Sequence, residues 1–505
     1  MIIGNLGSAA RAVVSGGGLL DVQADVPAGR PDPVSVAWWV GAEDRWHVPQ
    51  QEITTRQSLV DDAPVVRTAV RVPGGDVSAV TYAAVQGPRE LVVTDVENRS
   101  STPVAVAFIL QGLNGAVCDG SVVAGASGPL MYLSKRPAIR LGAPTIDELR
   151  AKLAAGAADE GPHFGSACVV AVVLPLAHIA RTRVAVLMAA DSDVALRASP
   201  VLSELPSGDT VAKGWAVQTR RAAELSGVGR VGERYGASLR SLLLASAASE
   251  TDATPTHVVA ALATALGRTG FTREARRLSA QLFDRADGRG GFGNPVSTAA
   301  VVVALSVAGW LGDGIGDRAR DGVADGETTA YREAAAPVAA RALESLRDRS
   351  VLGAARVAAD LFRAADDLRA EKDCLRMWDR AGRPWPAPRP SPLPLPPSSA
   401  GGELVPDDPL QIAAHVIDAL DQAVRVEPDG TIALLTSFDD SNRGVPVDVR
   451  RVPTPFGWLS FAVRWHGARP ALLWETTAAL GDLRLGCPIL APSWNGRGAH
   501  GDALL

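Results

Sequence analysis

WLSFAVRWHGARPALLWE, residues 458–475, decides how this chain is read. Apolar and polar residues alternate along it, which is the period-two signature of half-buried strands. His466-Gly467 interrupts the alternation as a turn, so 457–465 and 470–474 read as neighbouring short strands. Residues 482–490 read as a third strand, beyond a turn near Gly481. Trp458, Trp465 and Trp474 fall at strand spacing and read as packing residues.

Upstream of this tail the period changes. Val231, Tyr235, Leu239, Leu242 and Leu243 lie on one face of a helix. Thr254-Pro255 starts a second helix that Gly267 or Gly270 ends, Thr272 caps a third, and Pro295 opens an apolar one ending at Trp310. Helices at 328–348, 351–380 and 409–424 follow, and their short connections imply antiparallel hairpins. Residues 1–205 return to period two. APVVRTAVRV (63–72) meets the turn Pro73-Gly74-Gly75-Asp76 and a partner strand at 77–85. Strands at 90–98, 103–110, 167–176 and 181–188 follow, with a turn at Asn98-Arg99-Ser100-Ser101 and a short helix at 145–154. Strand runs at this spacing predict a sandwich rather than βαβ units.

The expected fold is therefore α+β and multidomain. It has an N-terminal β-sandwich (1–205), a helical α/α part (206–382), a proline-rich strap (383–408), and a last helix with a β-rich tail (409–505). In 383–397 eight of fifteen residues are proline, a polyproline-type spacer or a ligand segment for a protein partner.

Composition narrows the function classes. The 505 residues are 47% hydrophobic and 21% charged, as in globular proteins, and the net charge of −5 gives no reason to expect nucleic acid or an anionic membrane. No apolar run reaches the length of a membrane span, and the first twenty residues lack the pattern of a secretory leader. Cys118, Cys168, Cys374 and Cys487 form no C-x-x-C pair, Cys168 reading as a buried small hydrophobe. A reduced, cytoplasmic protein is expected. The seven histidines show no metal-ligand spacing, no G-x-S-x-G elbow occurs, and GRGGFG (288–293) lacks the strand and Lys-Ser/Thr of a phosphate loop. No metal or cofactor is expected.

Three stretches carry a resemblance. IIGNLGSAARAVVSGGGLLDVQ at the start, VRVPGGDVSAVTYAA with LVVTDVENRSSTPVAVAFIL, and VPTPFGWLSFAVRWHGARPALLWE near the end are similar to the six-hairpin, glucoamylase-like glycosidases, the last to uncharacterised actinobacterial members. The resemblance implies a sandwich joined to an (α/α)6 toroid that binds a saccharide in its central cavity. About eight helices are legible, fewer than the twelve of a complete ring. It also implies a general acid and a second carboxylate, because glycoside hydrolysis must protonate the leaving oxygen and activate water or attack the sugar.

Those carboxylates are not in the family's places. Where a base Glu would follow Ile432-Ala433-Leu434-Leu435 stand Thr436 and Ser437, with Asp439 and Asp440 only later in FDDSNRG, which also reads as an Asx turn. The loops comparable to those of the family acid carry Glu250 and Asp252, or Asp284 and Asp287. Asp252 also reads as helix-start chemistry, and Asp287 as the start of a Gly-rich turn. Glu475 completes the candidates. Among the eleven tryptophans, Trp215 and Trp378 are candidates for stacking on sugar faces, against the alternative of core packing. Three readings follow: a saccharide-binding relative with a degenerate catalytic pair, an active hydrolase with non-standard carboxylates, or an interaction scaffold.

Overall fold

The computed structural model describes every residue except 23–33, 126–127, 191–199, 250–253, 311–325, 347–351, 385–407, 428, 439–441 and 478–482. Asp252, Asp439, Asp440 and almost all of the proline-rich segment lie outside the described residues. The described chain forms two compact units, Met1–Val217 and Gln218 onward.

The first unit holds two eight-stranded antiparallel sheets. In one the order is Ile2–Gly4, Arg11–Val14, Leu20–Val22, Ser35–Gly41, Val104–Gln111, Val169–Leu176 and Ile139–Ala143, with Trp46–His47 paired to Ser35–Gly41. In the other it is Val117–Asp119, Val122–Gly125, Gly128–Leu133, Arg181–Ala190, Arg89–Asn98, Gly75–Gln86, Ala63–Val72 and Arg56–Val60. Alternation explains how they join. Trp38, Phe108 and Val172 of the first sheet and Val66, Val92 and Val186 of the second enter one apolar cluster. Each lies at an every-other position of its strand, so the two sheets share a core.

The first sheet is apolar on its other face as well. There Trp39, Ile109 and Leu141 pack with Leu149 and Leu153 of helix α1 (Ile146–Ala154). Helix α1 begins at Thr145, whose hydroxyl accepts from the Glu148 N–H, as the T-x-x-E pattern requires. The strand Ala63–Val72 reverses through Pro73-Gly74. Gly74 has φ +83°, the left-handed region that favours glycine.

Nine further α-helices are described: α2 (Gly208–Thr219), α3 (Gly229–Ala248), α4 (Thr256–Thr269), α5 (Thr272–Ala280), α6 (Pro295–Gly309), α7 (Gly326–Ser345), α8 (Ala354–Ala364), α9 (Leu368–Arg380) and α10 (Pro409–Ala423). In the second unit α10, α4, α6 and α8 pack each on the next. Helix α6 is buried on nearly every face, whereas α9 buries only Cys374 and Trp378, one turn apart. A helix apolar all round belongs inside and one with a stripe belongs outside. Accordingly α3, α5, α7 and α9 pack against that inner row. The tail adds an antiparallel sheet, Glu224–Ser226, Val447–Thr454, Gly457–His466, Arg469–Thr476 and His500–Leu504, and a four-stranded one of Val424–Val426, Ile432–Leu434, Arg484–Cys487 and Ala491–Arg497.

Four expectations need correction. The segment 351–380 is two helices, because Asp366 takes a left-handed φ of 61° and the Asp367 carboxylate caps α9 by accepting from the Ala370 N–H. Thr272 is the first residue of α5, not its cap; Phe271 holds that place. The third tail strand is shorter than 482–490, covering Arg484–Cys487. Cys168 is exposed, whereas Cys118, Cys374 and Cys487 are buried. Burial raises the pKa of those three thiols, that of Cys374 to about 12, which keeps them inert.

Candidate functional site

The strand register places charged side chains on the outward face of the second sheet. Inward positions of Arg89–Asn98 and Arg181–Ala190 are filled by Val92, Val96, Val184 and Val186, so Asp95, Glu97, Arg181 and Arg183 point away from the core. Arg183 stands opposite Asp95 and Arg181 opposite Glu97. Together with Arg67, Arg99 and Asp209 they line an open cleft of about 590 Å³, within the roughly 300–1,000 Å³ range of small-molecule sites. Ser78, Ser134, Ser203 and Ser207 add hydroxyl groups.

Arg183 builds one wall. Its Nε and Nη2 donate to the two Asp95 oxygens at 2.6 and 2.9 Å, and its Nη1 donates to the carbonyls of Leu202 and Leu205 at 2.9 and 2.8 Å. The guanidinium thereby pins the segment before α2 to the sheet, and the Asp95 hydrogen bonds hold its pKa above the ordinary arginine value. The Tyr82 hydroxyl lies 2.9 Å from Asp95 Oδ2 and 2.7 Å from the Pro206 carbonyl, which accept its proton. Burial and Asp95 together push that phenol upward, so it stays protonated.

Glu97 is the carboxylate shared by two guanidinium groups. Arg99 Nε donates to it at 2.8 Å and Arg181 Nη2 at 2.9 Å. Burial acts to raise its pKa, but the two guanidinium groups outweigh that and leave it below the usual 4.5. Asp76 is held down in the same way by Arg56 and Arg71. A carboxylate with a lowered folded-state pKa stabilises the fold above its unfolded pKa, and that contribution vanishes as pH falls through the folded value. The thermal midpoint of the first unit should therefore be level from about pH 7 to about pH 5 and fall below about pH 4. Calorimetry across this range checks it; a midpoint unchanged at about pH 3 would contradict the pairing.

Glu250, like Asp252, Asp439 and Asp440, lies outside the described residues, and the described candidates Asp284, Asp287 and Glu475 do not line this cleft. Asp287 accepts from the N–H groups of Arg289 and Gly291, both at 2.8 Å, and its own N–H donates to the Gly291 carbonyl. These bonds pull its pKa down and commit it to its Gly-rich turn. Glu475 lies exposed on the strand Arg469–Thr476. Trp215 is 5% exposed on α2, and Trp378 is 6% exposed with its indole N–H donating to the Pro384 carbonyl at 2.8 Å. Neither offers an open face. Asp95, Glu97, Arg181 and Arg183 were missed as a group; charges at period two within both strands were their only sequence signal.

Among the described residues no group of three His, Cys, Asp or Glu side chains is arranged to hold a metal ion, and no helix is long and apolar enough to cross a membrane. No family model matches the chain, and no curated protein matches it. Among solved structures it is similar to a bacterial glucoamylase complexed with acarbose, at 9% identity and a TM-score of 0.46. The match covers 75% of this chain and 66%, just under two thirds, of that one.

Proposed function

We propose that the chain is a glycoside-hydrolase-like, carbohydrate-binding protein with a degenerate catalytic pair, and that its inner and outer helices are part of an incomplete α/α toroid following a β-sandwich. The saccharide would lie in the cleft of the first unit, where carboxylate, guanidinium and hydroxyl groups alternate as donors and acceptors.

The observation that carries this reading is the state of the cleft carboxylates. Asp95 and Glu97 are two residues apart on one face of a strand, with Cα atoms about 7 Å apart, which lets their carboxyl groups span the separation that inverting hydrolysis uses. Spacing is not the obstacle. A general acid must hold a proton near neutrality, which takes a raised pKa. Asp95 has both oxygens engaged by Arg183, and Glu97 is shifted the other way. Neither is set up to donate a proton to a leaving oxygen, while both are fixed to orient hydroxyl groups.

Titration against oligosaccharides, paired with a reducing-end assay, tests the reading. Saturable binding should raise the thermal midpoint, by about 2.7 kcal/mol of stability at a hundredfold excess over Kd, without sugar release. Turnover that Glu97→Gln abolishes would overturn the degenerate pair. Absence of binding across neutral and acidic sugars would overturn the carbohydrate reading itself.

A further inference from the structure

Resting on the carbohydrate reading, the charge balance of the cleft narrows the ligand. Four guanidinium groups, of Arg67, Arg99, Arg181 and Arg183, face three carboxylates, of Asp95, Glu97 and Asp209. On the adjoining row Arg71 stands opposite Asp76, and Arg56 reaches the same carboxylate at 2.6 Å. These six guanidinium groups thus exceed the four carboxylates by two positive charges, on a chain whose net charge is −5. A local field opposite in sign to the whole molecule marks a place where anions concentrate.

Two of these acceptors, Glu97 and Asp76, are each shared by two guanidinium groups. Glu97 serves Arg99 and Arg181, whose side chains are 63% and 72% exposed. A guanidinium presents five N–H donors in a planar fork, so one carboxylate between two of them leaves donors turned to solvent. Their best complements are planar or tetrahedral oxyanions. The cleft is too large for one inorganic ion, and among the described residues its lining holds no aromatic ring on which a nucleobase could stack. Its serine hydroxyls and the carboxylates of Glu97 and Asp209 suit sugar hydroxyl groups.

We propose that the cleft binds an acidic oligosaccharide, with hexuronate carboxylates seated on Arg99 and Arg181 and neighbouring hydroxyl groups on Glu97 and the serines.

The test is calorimetric titration of the full chain with trigalacturonate, maltotriose and inorganic phosphate, at about 50 and about 200 mM salt. Trigalacturonate should bind at least tenfold more tightly than maltotriose and weaken as salt rises. R99Q and R181Q should each weaken it by roughly tenfold, while the thermal midpoint near neutrality falls only slightly, because in each variant the other guanidinium still pairs with Glu97. Equal binding of maltotriose, unmoved by salt or by either variant, would overturn the acidic ligand and leave the carbohydrate reading standing. Phosphate binding as tightly as the trisaccharide would overturn it in favour of a simple anion site. Binding of none of the three would remove both readings.

Discussion

Replacing Arg268 with alanine should cost the helical unit about 3–5 kcal/mol, because it removes one member of a buried, hydrogen-bonded charge pair. Arg268 closes the last turn of α4, and its Nη2 donates to Asp421 of α10 at 2.9 Å and to the Val424 carbonyl at 3.2 Å. The two side chains are 9% and 8% exposed. Burial pushes the guanidinium down to about 10, which still leaves it charged at neutrality. An isolated ion in this interior would be several kcal/mol worse than a paired one. The pair joins two helices of the inner row, so its loss acts where packing is densest. Urea unfolding followed by far-UV circular dichroism reads the effect. A double variant, Arg268→Met with Asp421→Leu, should recover most of the loss, since neither charge then remains. If the double variant is as unstable as the single one, the ion pair is not what holds α4 to α10.

Asn98→Ala should destabilise the first unit by about 2–4 kcal/mol, the scale of a buried polar network left unsatisfied. Asn98 is fully buried at the end of its strand. Its Nδ2 donates to the carbonyls of Thr102, Leu176 and Ala177 at 2.8, 3.2 and 3.2 Å, and its Oδ1 accepts from the N–H and hydroxyl of Ser100. Three acceptors on one side and two donors on the other allow only one orientation of the amide. The side chain ties the 98–102 turn of the second sheet to the strand end at Leu176 in the first, closing one edge of the shared core. Asn98→Asp is the sharper variant, because it keeps the shape but turns an anion toward carbonyl oxygens. It should be at least as damaging as alanine in a thermal unfolding series. Two variants within about 0.5 kcal/mol of the native chain would show that the network is incidental.

Much of the architecture was legible because its signals are local. Period two at 63–72 and 181–188, apolar spacing of three and four along α3 and α4, and the apolar run of α6 are properties of consecutive residues. Misreadings came where one residue changes the backbone. The 351–380 segment reads as a continuous helix until Asp366 takes a left-handed φ, and α2 carries too short an apolar stripe to stand out. Cys168 was read from its apolar neighbours, although its own position faces outward. Asp287 was legible as a turn residue, since its Gly-rich sequence already supplies the backbone N–H groups that its carboxylate needs.

The sequence by itself determined the order of the parts, sheets first, then paired helices, then a β-rich end, because a hydrophobic period needs only a short window to declare itself. It also determined that no ordered metal or nucleophile motif runs along the chain. Only the tertiary structure decided which charges meet. Arg181 reaches Glu97 across 84 residues, Arg183 reaches Asp95 across 88, and Arg268 reaches Asp421 across 153. Such pairs depend on sheet register and helix packing, and a shift of one residue would turn every outward arginine toward the core. The cleft and its excess of positive charge exist only because that register is fixed by the apolar residues on the opposite face.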